Sequence, residues 1–161
     1  MGKRYGVNND KVEKLMWSIA LPGFGQLLNR KYIKGILFIA LEFLVNVMGN
    51  FNEIILLSFH GRISEAIAQT EYPWLMFYPC LYFFAMWDAY KDAEGESKPY
   101  AFLPFVFSAY MVTVGCIFSP TFTLFGVMPG PVFLPMLFLL PGLLIGGILR
   151  WIFLQRLEHN H

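Results

Sequence analysis

Eleven of the twelve Lys and Arg residues in this chain can share one side of a membrane, and that distribution limits the folds open to it. Lys3, Arg4, Lys11, Lys14, Arg30, Lys31, Lys34, Lys91, Lys98, Arg150 and Arg156 fall together if the apolar stretch Leu15 to Leu28 enters and returns. Arg62 alone then lies opposite. If that stretch crosses instead, the split becomes seven against five. Positive charge collects at the cytoplasmic ends of membrane spans. The first arrangement therefore predicts a topology with both termini in the cytoplasm.

An α-helix needs about 20 apolar residues to cross the hydrocarbon core. Four blocks approach or reach that length: Gly35 to Ser58, Pro73 to Tyr90, Tyr100 to Phe118, and Val132 to Leu154. Leu15 to Leu28 is shorter and is interrupted by Pro22, which disfavours helix at Leu21. Lys3, Arg4, Lys11 and Lys14 precede it in a signal-like way, but Pro22, Gly23 and Gly25 lie at its middle and no small-residue cleavage site follows. It reads as part of the mature protein. The predicted fold is an all-α integral membrane protein with four transmembrane helices and a short, broken, re-entrant or interfacial helix near the N-terminus. Trp17, Trp74, Trp87 and Trp151 all fall near block ends, as an aromatic belt requires. Pro79, Pro135 and Pro141 predict kinks. Phe59 to Tyr72 predicts a surface amphipathic helix, and the uncharged Ser119 to Pro131 an interfacial loop.

The composition, 57% hydrophobic and 14% charged, is too apolar for an ordinary soluble domain. A net charge of +1 gives no basic face for nucleic acid. Cys80 and Cys116 lie inside apolar blocks, at no metal or redox spacing, and read as buried thiols. Zincin, serine-hydrolase and metal-cluster signatures are missing, so the expectation is a non-enzyme with no cofactor and no metal. His60 falls in an outer loop; His159 and His161 fall in a terminal tail.

Three sets of residues stand out. The first is the motif turn: Pro22, Gly23, Phe24, Gly25 and Gln26, followed by Asn29, Tyr32, Lys34 and Gly35. Glycine permits close backbone approach, and Gln26 and Asn29 can bond backbone groups that a helix break frees. Lys31 and Lys34 are placed to reach anionic headgroups. The second set is Glu42, Asn46, Gly49 and Glu53, which share a narrow arc at 100° per residue. A carboxylate at membrane depth costs about 2.5–3.5 kcal/mol unless neutral, paired or hydrated. Glu42 and Asn46, with Glu53 nearer the edge, are thus either an ion or proton site or a hydrogen-bonded helix contact. The third is Gly142 and Gly146, a G-x-x-x-G widened by Gly147, which predicts close helix packing.

With Trp87, Asp88, Ala89 and Tyr90 closing the second block, the motif turn resembles the two-transmembrane-helix domain family and its bacterial relatives. The resemblance covers residues 15–93. It departs at Leu28, where the family usually carries an aromatic, at Arg30, where it usually carries glycine, and in a longer segment between the paired spans. It implies a membrane-embedded helical hairpin preceded by a glycine-rich turn, in a bacterial plasma membrane, and brings no catalytic activity. Trp87, Asp88 and Tyr90 are then an interfacial clamp, with Asp88 facing Lys31, Lys34 or Lys91. The predicted organisation is a polar cytoplasmic N-terminus at 1–14, the motif and hairpin at 15–93, and a second hairpin with a short tail at 94–161. The function expected is an assembly or accessory subunit that packs on a membrane-protein partner, or on itself, within the lipid bilayer, through the glycine face and the polar stripe. The alternative is a small transporter or channel built on Glu42.

Overall fold

A computed structural model describes residues 2–159, with side chains from Asn9 onward. Expectations resting on the side chains of Lys3 and Arg4, or on His161, lie outside the described residues. The chain is all-α: α1 Gly2–Ala20, α2 Phe24–Leu28, α3 Tyr32–Met48, α4 Phe51–Phe59, α5 Ile63–Gln69, α6 Tyr72–Asp92, α7 Leu103–Phe118 and α8 Gly130–His159. α1 runs through the polar N-terminal stretch into the apolar segment.

Helix starts and stops follow local chemistry. Prolines in the first turns of α6 and α7 sit where a missing N–H costs nothing. Pro79, Pro135 and Pro141 lie inside helices that continue through them. The block Gly35 to Ser58 is not one helix. It ends at Gly49, Asn50 takes a left-handed conformation at φ 56°, and α4 leaves at 62° to α3. Asn50 tolerates that conformation, and its amide donates to the Gln69 carbonyl at 3.2 Å.

Among the described residues, α8 is the one helix long and apolar enough to cross a membrane alone. α3 and α4 reach that standard only as a bent pair, and α7 is apolar but shorter. Large apolar side chains nonetheless cover much of the outside, including Ile33, Phe43, Phe77, Phe84, Tyr110, Leu140 and Leu144.

α6 organises the interior, with α1, α2, α3 and α7 all packed on it, while α7 and α8 form the tightest pair. One core joins Phe38, Val45 and Phe51 to Leu75, Leu81, Ala85 and Cys116. A smaller one joins Ile54 and Leu57 to Ala66 and Val132, fixing α4 and α5 against the start of α8. Cys116 is buried as expected, but Cys80 is exposed and lines an open groove between α3 and α7.

Candidate functional site

The motif turn folds back on the C-terminal half of α6. The Tyr82 hydroxyl donates to the Ile19 carbonyl near the end of α1, while Lys11, two turns earlier, reaches Tyr90. α1 therefore runs antiparallel to α6, away from its C-terminus. Pro22 and Gly23 reverse the chain, and α2 returns: Gln26 meets Ala85 and Asn29 meets Ala89. Gly23, at φ 106°, occupies a conformation that glycine alone adopts freely. A Cβ at Gly25 would stand 2.1 Å from Ser18 Oγ and 2.6 Å from Ala89 Cβ; one at Gly35 would meet Leu27 at 2.5 Å. Absent side chains let three segments converge there.

Hydrogen bonds lock that convergence. The buried Gln26 amide donates to the Ala85 carbonyl at 2.7 Å and to Asp88 Oδ2 at 3.1 Å. Asn29 Nδ2 donates to the Ala89 carbonyl at 2.8 Å. Lys34 Nζ bridges Asp88 Oδ1 at 2.7 Å and Asp92 Oδ2 at 2.9 Å. Trp87 and Tyr90 stack on each other at 6.0 Å between centroids and pack on Phe105, so they join α6 to α7.

The N-terminal helix completes the same end. Lys11 is buried, donates to the Tyr90 and Ala93 carbonyls at 3.2 and 3.4 Å, and sits 4.8 Å from the Tyr90 ring centroid. Ala89, Tyr90 and Ala93 lie where α6 runs out of its own N–H donors, so Asn29 and Lys11 serve as its C-terminal caps. Burial pushes the Lys11 ammonium below its usual range, partly offset by Asp10. Asp10 accepts from Lys14 at 2.6 Å and from the Glu94 amide at 3.0 Å. Burial would raise its pKa, but these bonds together hold it below the ordinary carboxylate value. Lys11, Asp10 and Asp92 were not among the residues singled out from the sequence. For Asp10 the signal was its i, i+4 spacing to Lys14 on a helix, too common to read as a tertiary contact; Lys11 and Asp92 carried no such signal.

The polar arc divides. Glu42 is half-buried and faces Tyr78 and Tyr82 of α6. Asn46, one turn on, opens into an apolar cavity of about 300 Å³ lined by Phe51, Tyr78, Pro79, Cys116 and Pro135 among others. Glu53 lies beyond the bend and is exposed, so the expected continuous stripe is broken at Gly49–Asn50.

The glycine face is occupied within the chain. A Cβ at Gly142 would stand 2.7 Å from Ser108 Cα, and one at Gly146 would stand 2.5 Å from Pro104 Cα. Gly115 makes the reciprocal approach to Pro135 at 2.8 Å. Gly147 points into open space and does not widen that face. Gly142, Gly146 and Gly115 thus seal α7 to α8 within the chain. No known family, curated protein or solved structure matches the chain.

Proposed function

We propose that this chain is a non-enzymatic, multi-pass protein of a bacterial plasma membrane that acts as an assembly or accessory subunit. In this reading α3–α4, α6, α7 and α8 are the spans and α1–α2 is a re-entrant element, both termini being cytoplasmic. Between Tyr82 and Asp92, α6 rises about 15 Å, roughly half the hydrocarbon core, which suits an element that enters and returns. The charges support the same orientation. Lys11, Lys14 and Lys34 gather around the end of α6, Arg150 reaches the Pro99 carbonyl, and Arg62 pairs with Glu65 at the far end. The motif turn keeps its place beside the two-transmembrane-helix domain family in this proposal.

One observation carries the assembly role. α3 and α7 flank α6 without a packed interface between them, leaving an apolar groove of about 770 Å³ lined by Leu37, Leu41, Phe84, Phe105, Ala109 and Thr113 among others. A helix laid in this groove would complete the bundle by close packing, the main source of helix association in lipid. A photo-crosslinker at Ala109 tests it in native membranes. The expected product is one stoichiometric adduct, with a partner span or a second copy. Lipid adducts alone, from a monomer with a measurable activity of its own, would overturn the reading.

A small ion or solute transporter is the second reading, favoured by the half-buried Glu42 against two tyrosines and by Asn46 at the mouth of a cavity. Flux in proteoliposomes that Glu42→Gln abolishes would establish it. Flux unchanged by that substitution would remove Glu42 from any pathway.

A further inference from the structure

We infer that the α7–α8 connection is a lipid-interface anchor: a small hairpin that seats Phe125 in the headgroup and upper acyl layer at the end opposite the Lys11–Lys34 cluster. It rests on the membrane reading above and adds a specific surface and a specific occupant, the lipid itself.

The segment carries no charge from Ser119 to Pro131. Leu124 and Val127 pair through reciprocal backbone bonds of 2.8 and 2.9 Å, making a two-residue turn with Phe125 and Gly126 at its tip. Both tip residues have positive φ, 50° and 82°. Such turns favour Asn or Gly at the first tip position, because a large side chain is strained there. Here that position holds phenylalanine, and the residue is 98% exposed. Val127 is 67% exposed, and Phe122 and Leu124 flank it on the surface. The hairpin thus presents apolar side chains outward through a backbone conformation that does not favour them.

Continuity says what covers them. Ile117 and Phe118 at the end of α7, and Met136, Leu137 and Leu140 on α8, are also exposed, so the apolar tip extends the surface that α7 and α8 would turn to lipid. The backbone limits the depth. Among the described residues the peptide groups of Phe125 and Gly126 find no protein partner, and hydrocarbon does not satisfy such groups. The tip therefore belongs in the interface and not in the acyl core. Aromatic side chains favour that layer.

The test replaces Phe125, Leu144 or Glu96, one at a time, with an environment-sensitive fluorescent amino acid in the full chain. Each variant is reconstituted in vesicles of phosphatidylcholine and phosphatidylglycerol. Bromine on the lipid acyl chains and iodide in the water are the two quenchers. Leu144, exposed on α8, reports whether that helix is in lipid; Glu96, exposed in the α6–α7 loop, reports water. The expected result at Phe125 is a blue-shifted emission, with a bromine-to-iodide quenching ratio several-fold above that at Glu96. A Phe125 ratio equal to that at Glu96, with Leu144 quenched by lipid, overturns the anchor alone. Shielding of Phe125 from both quenchers also overturns it, because protein then covers the tip. Leu144 quenched by iodide and not by lipid would remove the membrane reading with it.

Discussion

Gln26 on α2 and Asp88 on α6 are 62 positions apart, and the amide of one donates to the carboxylate of the other at 3.1 Å inside the protein. The same amide holds the Ala85 carbonyl, so one fully buried side chain ties the motif turn to the closing turns of α6. Asp88 is thereby shared between a neutral donor and the Lys34 ammonium. Hydrogen bonds to a charged group contribute about 1.5–3 kcal/mol, and a core truncation adds a cavity cost. Gln26→Ala is expected to destabilise the fold by about 2–4 kcal/mol. Leu28→Ala, on an exposed neighbour, should fall within about 0.5 kcal/mol of the parent. Reversible unfolding in mixed micelles, followed by circular dichroism, checks both. Equal losses would mean that Gln26 is no clamp.

Gly146 and Gly147 are adjacent, yet their surroundings differ completely. A methyl at Gly146 meets the Pro104 backbone at 2.5 Å, and a proline in the first turn of α7 has little room to yield. A methyl at Gly147 meets nothing. Gly146→Ala should cost about 1–3 kcal/mol by overpacking, while Gly147→Ala should be neutral or stabilising by up to about 1 kcal/mol from helix propensity. Unfolding midpoints of the two variants measure the contrast directly. If α8 instead used this face to bind another molecule, Gly146→Ala would weaken association and leave the midpoint unmoved.

Sequence reading located the Pro22–Gly23 break, α6 to within two residues at either end, and the uncharged loop before α8, because proline, long apolar runs and absence of charge act locally. It joined α3 to α4, since hydropathy is continuous across Gly49–Asn50 and only backbone preference marks the bend. The Gly-Asn pair was the available signal, for those two residues most readily enter left-handed turns. The faces of the helices were less legible. Gly142 and Gly146 announce close packing, but whether on α7 or on another molecule depends on chain reversal through an uncharged loop. Lys11 at the α6 terminus was similarly out of reach, because a cap donated from 79 positions away leaves no periodic trace.

Arg30 closes α2 at φ 60°, a left-handed conformation that costs a side chain about 1–2 kcal/mol. Its side chain is exposed and lies at the edge of a polar pocket with Asp10, Glu13, Asn29 and Glu94. Glycine, which adopts this conformation freely, would remove the strain. Arg30→Gly is therefore expected to raise stability by about 0.5–1 kcal/mol, after allowance for the freer unfolded chain. A thermal midpoint that falls instead would mean that the guanidinium supports the pocket more than its backbone burdens the turn.

Asp10 gives the inner end an acid-sensitive joint. The folded protein holds this carboxyl below its ordinary value, so the unfolded chain takes up the proton first as pH falls. The stabilisation is complete above the ordinary Asp pKa of about 3.9 and disappears as pH drops through the lower folded value. Asp10→Asn should lower the midpoint modestly at neutral pH, since Asn still accepts from the Glu94 amide while the Lys14 ion pair is gone. The gap between parent and variant should close in acid. A gap that stays constant from neutral to acid pH would show that the ionised carboxylate contributes nothing.

Orientation is the prediction on which the membrane reading depends most. Glu96 lies in the exposed loop that follows the Asp88–Lys34 cluster, and Asn52 and Glu71 lie exposed near the end where Arg62 pairs with Glu65. In a Cys80→Ala background, which leaves only the buried Cys116, single cysteines report the side of each position to an impermeant thiol reagent. Glu96→Cys should react only after intact bacterial cells are permeabilised, and Asn52→Cys and Glu71→Cys should react before. The positive-inside rule rests on Lys and Arg close to span ends, and eleven of twelve here sit with Glu96 in this topology. If Glu96→Cys reacted in intact cells and Asn52→Cys did not, the orientation would be reversed. If all three reacted alike before permeabilisation, the α3–α4 and α6 pair would not cross, and the four-span arrangement would fall.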